Sequence, residues 1–155
     1  MINILIKMII VVVCSVSFLY AQDYNDDVNS MLKMFNEIRE NENLYSFEID
    51  DRLNNIADIR AKELAISFSH IRPNNTKYDE LLYLNRIIVY SSDENIAYRF
   101  KNAETVASYW MNSNKYKVNI LSDKFTHIGV AHYAINGEDF WVVIFAQLKK
   151  SFNYY

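Results

Sequence analysis

The 155 residues suit one domain able to bury a core, and a composition 51% apolar and 15% aromatic is that of a globular chain, not a disordered one. Two glycines, Gly129 and Gly137, and one proline, Pro73, leave no room for either common glycine-rich phosphate loop, which excludes nucleotide binding by those routes. A net charge of −3 with no lysine and arginine cluster excludes a groove that tracks phosphates, so no nucleic-acid partner is expected.

Residues 1–21 read as a signal peptide. A short start containing Lys7 precedes the apolar run Met8 to Leu19, which is too short for a comfortable membrane span. Cleavage after Ala21 leaves residues 22–155 as a single domain and takes the net charge from −3 to −4. The lone cysteine, Cys14, offers a second reading. A lipoprotein-type leader would acylate it, giving the domain its one expected route to a membrane, although Val11-Val12-Val13 lacks the small residues that usually precede such a cysteine. In either case the mature domain has no disulfide and no thiol nucleophile.

Residues 23–27 form an acidic, frayed entry, with Asn25 or Asp26 as a cap. From Val28, the spacing of Met31, Leu32, Phe35 and Ile38 predicts a helix that ends at Asn41 to Asn43. Asp50-Asp51 can cap a second helix, whose stripe is Leu53, Ile56, Ala57, Ala61, Leu64, Ala65 and Phe68, with Arg52, Asp58, Lys62 and Glu63 on other faces. Pro73 disfavours helical geometry at Arg72, so this helix should stop near Ser69 and leave His70 at its C-terminus. Residues 74–79 read as a loop. The run from Leu81 to Tyr90 is ambiguous until its extended end, Ile87 to Tyr90. Asn102 can cap a third helix with Ala103, Val106, Ala107 and Trp110 inward. A polar turn should follow, then a buried patch of Val118, Ile120 and Leu121. Two β-rich runs, Phe125 to Ile135 and Phe140 to Ala146, flank Asn136-Gly137, the strongest hairpin signal in the chain. Helices first and a hairpin last argue for an α+β fold.

Several short boxes carry polar chemistry: Ser69-His70-Ile71-Arg72-Pro73, Glu94-Asn95-Ile96-Ala97, Trp110-Met111-Asn112-Ser113, Asn119-Ile120-Leu121 and Phe125-Thr126-His127-Ile128-Gly129. In this order they resemble the CAP superfamily of cysteine-rich secretory, antigen 5 and pathogenesis-related 1 proteins, in its bacterial SCP-like form. The resemblance implies a three-layer α-β-α sandwich over about residues 28–148, outside the cell or on its surface. It also implies a cleft over the sheet that gathers histidines and acids and in some members holds a divalent metal such as zinc. Carried over residue by residue, it points to His70, Glu94 and His127. His132 differs from His127 by an odd number of residues, so on one strand the two face opposite ways.

This chain departs from the family's pattern at telling places. Asp93 stands where the family has glycine, and Asn114, Lys115, Tyr116 and Lys117 replace Pro-Gly-His-Arg. The family histidine is thus Tyr116, and Ser113 occupies the place of an acid found in eukaryotic members. A tyrosine of ordinary pKa is a weak zinc ligand at neutral pH, and Lys115 beside it repels a cation. Cleft candidates are therefore His70, Glu94, Tyr116 and His127, with no catalytic or metal-ligating residue assigned and no cofactor expected. Plainer roles stand beside these: Glu94 can accept backbone N–H bonds, Arg72 can pair with an acid or stay solvated, and Trp110 and Trp141 suit a core. The function expected is a non-enzymatic binding module for an extracellular protein, a lipid or a sterol. The alternative is a metal-dependent hydrolase using His70, Glu94 and His127, and a third reading is a structural envelope protein.

Overall fold

The computed structural model describes residues 26–149; the expected leader, with Cys14 and the junction after Ala21, lies outside the described residues. Four strands form one mixed sheet: β1 (Glu48–Ile49), β2 (Val89–Tyr98), β3 (His127–Ile135) and β4 (Glu138–Leu148), in the order β1-β3-β4-β2. β1 runs parallel to β3, and the other pairings are antiparallel. Asn136 and Gly137, at φ 53° and 80°, close the β3–β4 hairpin in the doubly left-handed turn that matches strand twist.

Helices cover both faces, giving the α+β fold three layers. On one face, α2 (Asp51–Leu64) and the short α3 (Asp79–Leu84) bury Leu53, Ile56, Ala61 and Leu64, and Leu81 and Leu82 respectively, in one cluster with Ile96, Ala131, Val142 and Ile144. Asp50 caps α2 by accepting from the Arg52 and Leu53 N–H groups. Gly129 sets how closely α2 can lie, since a Cβ there would meet the Leu53 carbonyl carbon at 2.1 Å. On the other face, α1 (residues 26–41), α4 (Ala103–Met111) and α5 (Asn114–Ile120) enclose an aromatic core of Phe35, Phe47, Trp110, Trp141 and Phe145. Asn102 caps α4 through the Thr105 N–H, and Trp110 and Trp141 are fully buried. Among the described residues no helix is long and apolar enough to cross a membrane.

Several elements differ from the sequence reading, each for a tertiary reason. Asp26 and Asp27 lie inside α1, so Asp26 is not its cap, and Asn25 lies outside the described residues. At the end of that helix the fully buried position is Arg39, with Ile38 only partly covered. The Arg39 guanidinium replaces water with the carbonyls of Tyr45, Ile120 and Ser122 at 2.7–2.8 Å and lies over the Phe47 ring. α2 ends at Leu64, not near Ser69, because the following chain turns back to bring the Ser69 carbonyl within 2.7 Å of buried Arg60. His70 is therefore not at a helix C-terminus, and Phe68 leaves the core to pack on Tyr98. The polar stretch after Ser113 is helical, and Val118 on its outer side is 62% exposed where burial was expected. Strand β2 reaches from Val89 through the Glu94 box, so Glu94 begins no turn.

Candidate functional site

The site begins with a charge in the wrong place on α2. Arg60 lies within the apolar stripe, between Ala57 and Leu64, and its side chain is wholly buried. A buried guanidinium must be paired, and Glu94, facing α2 from β2, supplies the pair. Arg60 donates from Nε to Glu94 Oε2 at 3.1 Å and from Nη2 to Glu94 Oε1 at 3.2 Å. Its Nη1 donates to Glu63 at 2.9 Å. Burial disfavours the Arg60 cation, but Glu94 and then Glu63 more than offset this and raise its pKa. Glu63 in turn accepts from Arg72 at 2.8 Å, and Arg72 donates to Glu80 at 2.8 Å. Burial alone would raise the Glu63 pKa; the two arginines bring it below the usual range. Charges thus alternate from Glu94 to Glu80, and no buried side-chain polar atom among the described residues lacks a partner.

His70 ends this chain of pairs. Its Nδ1 lies 2.9 Å from Glu94 Oε1, and since a carboxylate only accepts, Nδ1 carries the proton. With its side chain 41% exposed, the ring presents Nε2 to a cleft of about 330 Å³. Tyr78, Glu94, Asn95 and Tyr116 also line the cleft. Asn95 donates to the Tyr116 carbonyl at 3.1 Å and accepts from Asn119 at 2.9 Å, which ties β2 to α5. Burial pushes the Tyr78 phenol up, and its hydroxyl donates to Ser92 at 3.1 Å.

Of the four residues singled out from sequence, His70, Glu94 and Tyr116 meet in this cleft and His127 does not. Strand alternation puts His127 on the same sheet face as Glu94, yet β4 lies between their strands. Its ring contacts Thr126 Oγ1 at 2.8 Å and lies 3.6 Å from Glu48 on β1, at the far side of the sheet. His132 points the other way, as alternation requires, and stacks on Trp141 with centroids 4.1 Å apart. Both its nitrogens are spent, on Asp27 at 2.6 Å and Asp139 at 3.0 Å.

Arg60 escaped the sequence reading, and Glu63 and Asn95 entered it only as a helix-face charge and a member of the Glu94 box, with no part in the site. Arg60 left a signal of its own, as a lone cation inside an otherwise apolar stripe. The divalent metal that the family resemblance suggests does not fit this donor set. Both Glu94 oxygens are taken, His127 is remote, Tyr116 stands in the place of the family's histidine, and Lys115 beside it repels a cation. Among the described residues no three His, Cys, Asp or Glu side chains are grouped to hold an ion.

Comparisons with known proteins agree with this architecture. The CAP profile, described as the cysteine-rich secretory protein family, matches residues 32–145. The uncharacterised protein YkwD of Bacillus subtilis is 30% identical over 104 residues, covering 66% of this chain and 40% of that protein. The chain thus spans about two-fifths of the length of that curated relative. An extracellular SCP-domain protein of Bacillus anthracis shares the fold at a TM-score of 0.74 and 24% identity, over 80% of this chain and 41% of the other. An outer surface protein of Borrelia burgdorferi does so at 0.69 and 24%, over 80% of this chain and 94% of that one. With the layered fold, the ordered boxes and the profile match in agreement, this chain belongs to the CAP family of cysteine-rich secretory proteins.

Proposed function

We propose that this CAP domain works outside the cytoplasm as a non-enzymatic binding module that takes a protein or lipid ligand at the His70–Tyr116 cleft. The observation that supports this most is the saturation of Glu94. A hydrolytic carboxylate must be free to accept a proton or hold a metal, and Arg60 and His70 occupy both oxygens. What remains facing the cleft is a set of hydrogen-bonding groups held in place from behind, which favours recognition over reaction. Location outside the cytoplasm is supported by two relatives of the same fold, one extracellular and one at the outer surface.

The test is metal analysis of the purified chain beside its His70→Ala variant. The expected result is zinc far below one equivalent in both, with thermal midpoints differing by no more than about 2 °C, as suits a half-exposed side chain. One equivalent of zinc in the parent, lost in the variant, would favour the metal-dependent hydrolase instead.

A further inference from the structure

The fold divides the apolar run from Leu81 to Tyr90. Leu81, Leu82 and Ile87 join the α2 cluster, whereas Tyr83, Leu84, Ile88 and Tyr90 stand 81%, 63%, 65% and 66% exposed. Two local devices produce this. α3 ends in a Schellman motif: the Ile87 N–H donates to the Leu82 carbonyl at 2.9 Å and the Arg86 N–H to the Tyr83 carbonyl at 3.0 Å, with Arg86 left-handed at φ 56°. The second device is a β-bulge at the start of β2. Val89 lies opposite Leu148 and Ser91 opposite Gln147, which leaves Tyr90 without a partner on β4. Alternation back from Ile96 and Glu94 would turn Tyr90, not Val89, towards α2 and α3. The bulge gives that place to Val89 and sends Tyr90 out.

The same tip carries cations and no acid. The Ile88 carbonyl accepts from the Lys149 N–H at 3.0 Å, and Lys149 Nζ lies 5.8 Å from the centre of the Tyr90 ring. Arg86 is the one charged residue from Leu81 to Ser92, and it is exposed. Among the described residues its side chain has no hydrogen bond, ion pair or ring partner. Glycine takes a left-handed position without strain and asparagine is the usual second choice; three of the five non-glycine residues at positive φ are asparagines. Arg99, the other arginine of the five, is held by Glu138 and Tyr98. An arginine kept in a strained, exposed turn without such partners points to a use for its charge. The acids of α3, Asp79 and Glu80, lie at its opposite end, and Glu80 is bound to Arg72. In a chain of net charge −3, this end is apolar and positive.

We propose that this tip docks the domain on an anionic lipid bilayer. Leu84 and Ile88 enter the acyl boundary, Tyr83 and Tyr90 sit at headgroup level, and Arg86 and Lys149 meet lipid phosphates. Tyrosine suits that level because its ring is apolar while its hydroxyl stays wet. The complement that such a patch requires is an apolar layer beneath an anionic rim, which a bilayer presents over its whole surface. None of these residues lines the His70–Tyr116 cleft, so the inference goes beyond the binding-module reading and does not depend on it.

The probe is sedimentation with vesicles of phosphatidylcholine containing about 30% phosphatidylglycerol, beside vesicles of phosphatidylcholine alone. The purified chain should bind the anionic vesicles at least about tenfold more tightly, and that preference should shrink as salt rises. Leu84→Glu with Ile88→Glu alters only exposed side chains, so the thermal midpoint should stay near that of the parent while vesicle binding disappears. Arg86→Gly relieves the left-handed turn and should melt no lower than the parent, yet bind anionic vesicles about fivefold more weakly. Fluorescence of the Tyr90→Trp variant should move to shorter wavelength when anionic vesicles are added.

Sedimentation of less than about a tenth of the chain with about 1 mM anionic lipid at low salt would overturn the proposal. So would equal binding to neutral vesicles, binding that survives Leu84→Glu with Ile88→Glu, or undiminished binding by Arg86→Gly. A dimer of the parent that this double substitution dissociates, with no vesicle binding, would assign the patch to a second copy instead. None of these outcomes bears on the zinc measurement, so lipid docking and the module reading stand or fall separately.

Discussion

Each face of the sheet buries one arginine, and the two are used differently. Arg39, under the aromatic layer, spends its donors on backbone carbonyls and lies over Phe47. It staples α1 to the segments around Tyr45 and Ser122, and burial lowers its pKa against only a weak pull from Asp123. Arg60, under α2, spends its donors mainly on carboxylates, and its pKa rises. Neutral acceptors make a staple. Charged acceptors make a site, because the same guanidinium fixes Glu94, which in turn fixes the His70 ring. The lesson is to ask what a buried cation is paired with before assigning it a role.

The sharpest way to break this contrast is to remove each arginine. Arg60→Leu strands the Glu94 carboxylate in a dry interior and should cost about 4 kcal/mol in chemical denaturation. Adding Glu94→Leu should recover more than half of that loss, since the pair then leaves together; no recovery would mean that Arg60 acts through packing alone. Arg39→Met should cost less, about 2.5 kcal/mol, because the orphaned carbonyls are uncharged and those of exposed Tyr45 and partly exposed Ser122 can reach water. An Arg39 loss equal to or above the Arg60 loss would reverse the ranking.

The smallest expected effect concerns the two carboxylate-bound histidines. His70 shares one carboxylate with Arg60, whereas His132 faces Asp27 from α1 and Asp139 from β4, the latter also paired with Lys101. Burial against Trp141 disfavours the His132 cation, but the bonds and charges of Asp27 and Asp139 outweigh it and raise the pKa. A raised histidine pKa stabilises the folded state fully below the unfolded value of 6.5, and that contribution fades as pH climbs through the folded value. Above pH 6.5 the chain should therefore lose about 1.5 kcal/mol, the worth of one charge-assisted hydrogen bond. His132→Gln should flatten the decline; an unchanged profile in the variant would assign it to other groups.

Much of the layering was legible in residue order. The stripes of α2 and α4, the caps Asp50 and Asn102, and the Asn136-Gly137 turn each carry a local physical reason, so they could be read without knowing what packs on them. The site was legible in part. His70, Glu94 and Tyr116 were identified through family boxes, but local pattern could not place His127, because alternation fixes only which face of the sheet a residue takes, and its distance from a cleft depends on strand order. Strand order also put β2 at the edge and β4 between His127 and Glu94. The partners of Arg60 and Arg39 were likewise decided in three dimensions. A buried charge is tolerable only where remote acceptors converge on it, and here those acceptors lie 34 residues from Arg60, at Glu94, and 81 residues from Arg39, at Ile120. The sequence by itself determined the stripes of α2 and α4, their caps and the hairpin turn. The tertiary structure decided where α2 stops, that the stretch after Ser113 is helical, and which charges meet, because these depend on chain segments brought together only by the packed core.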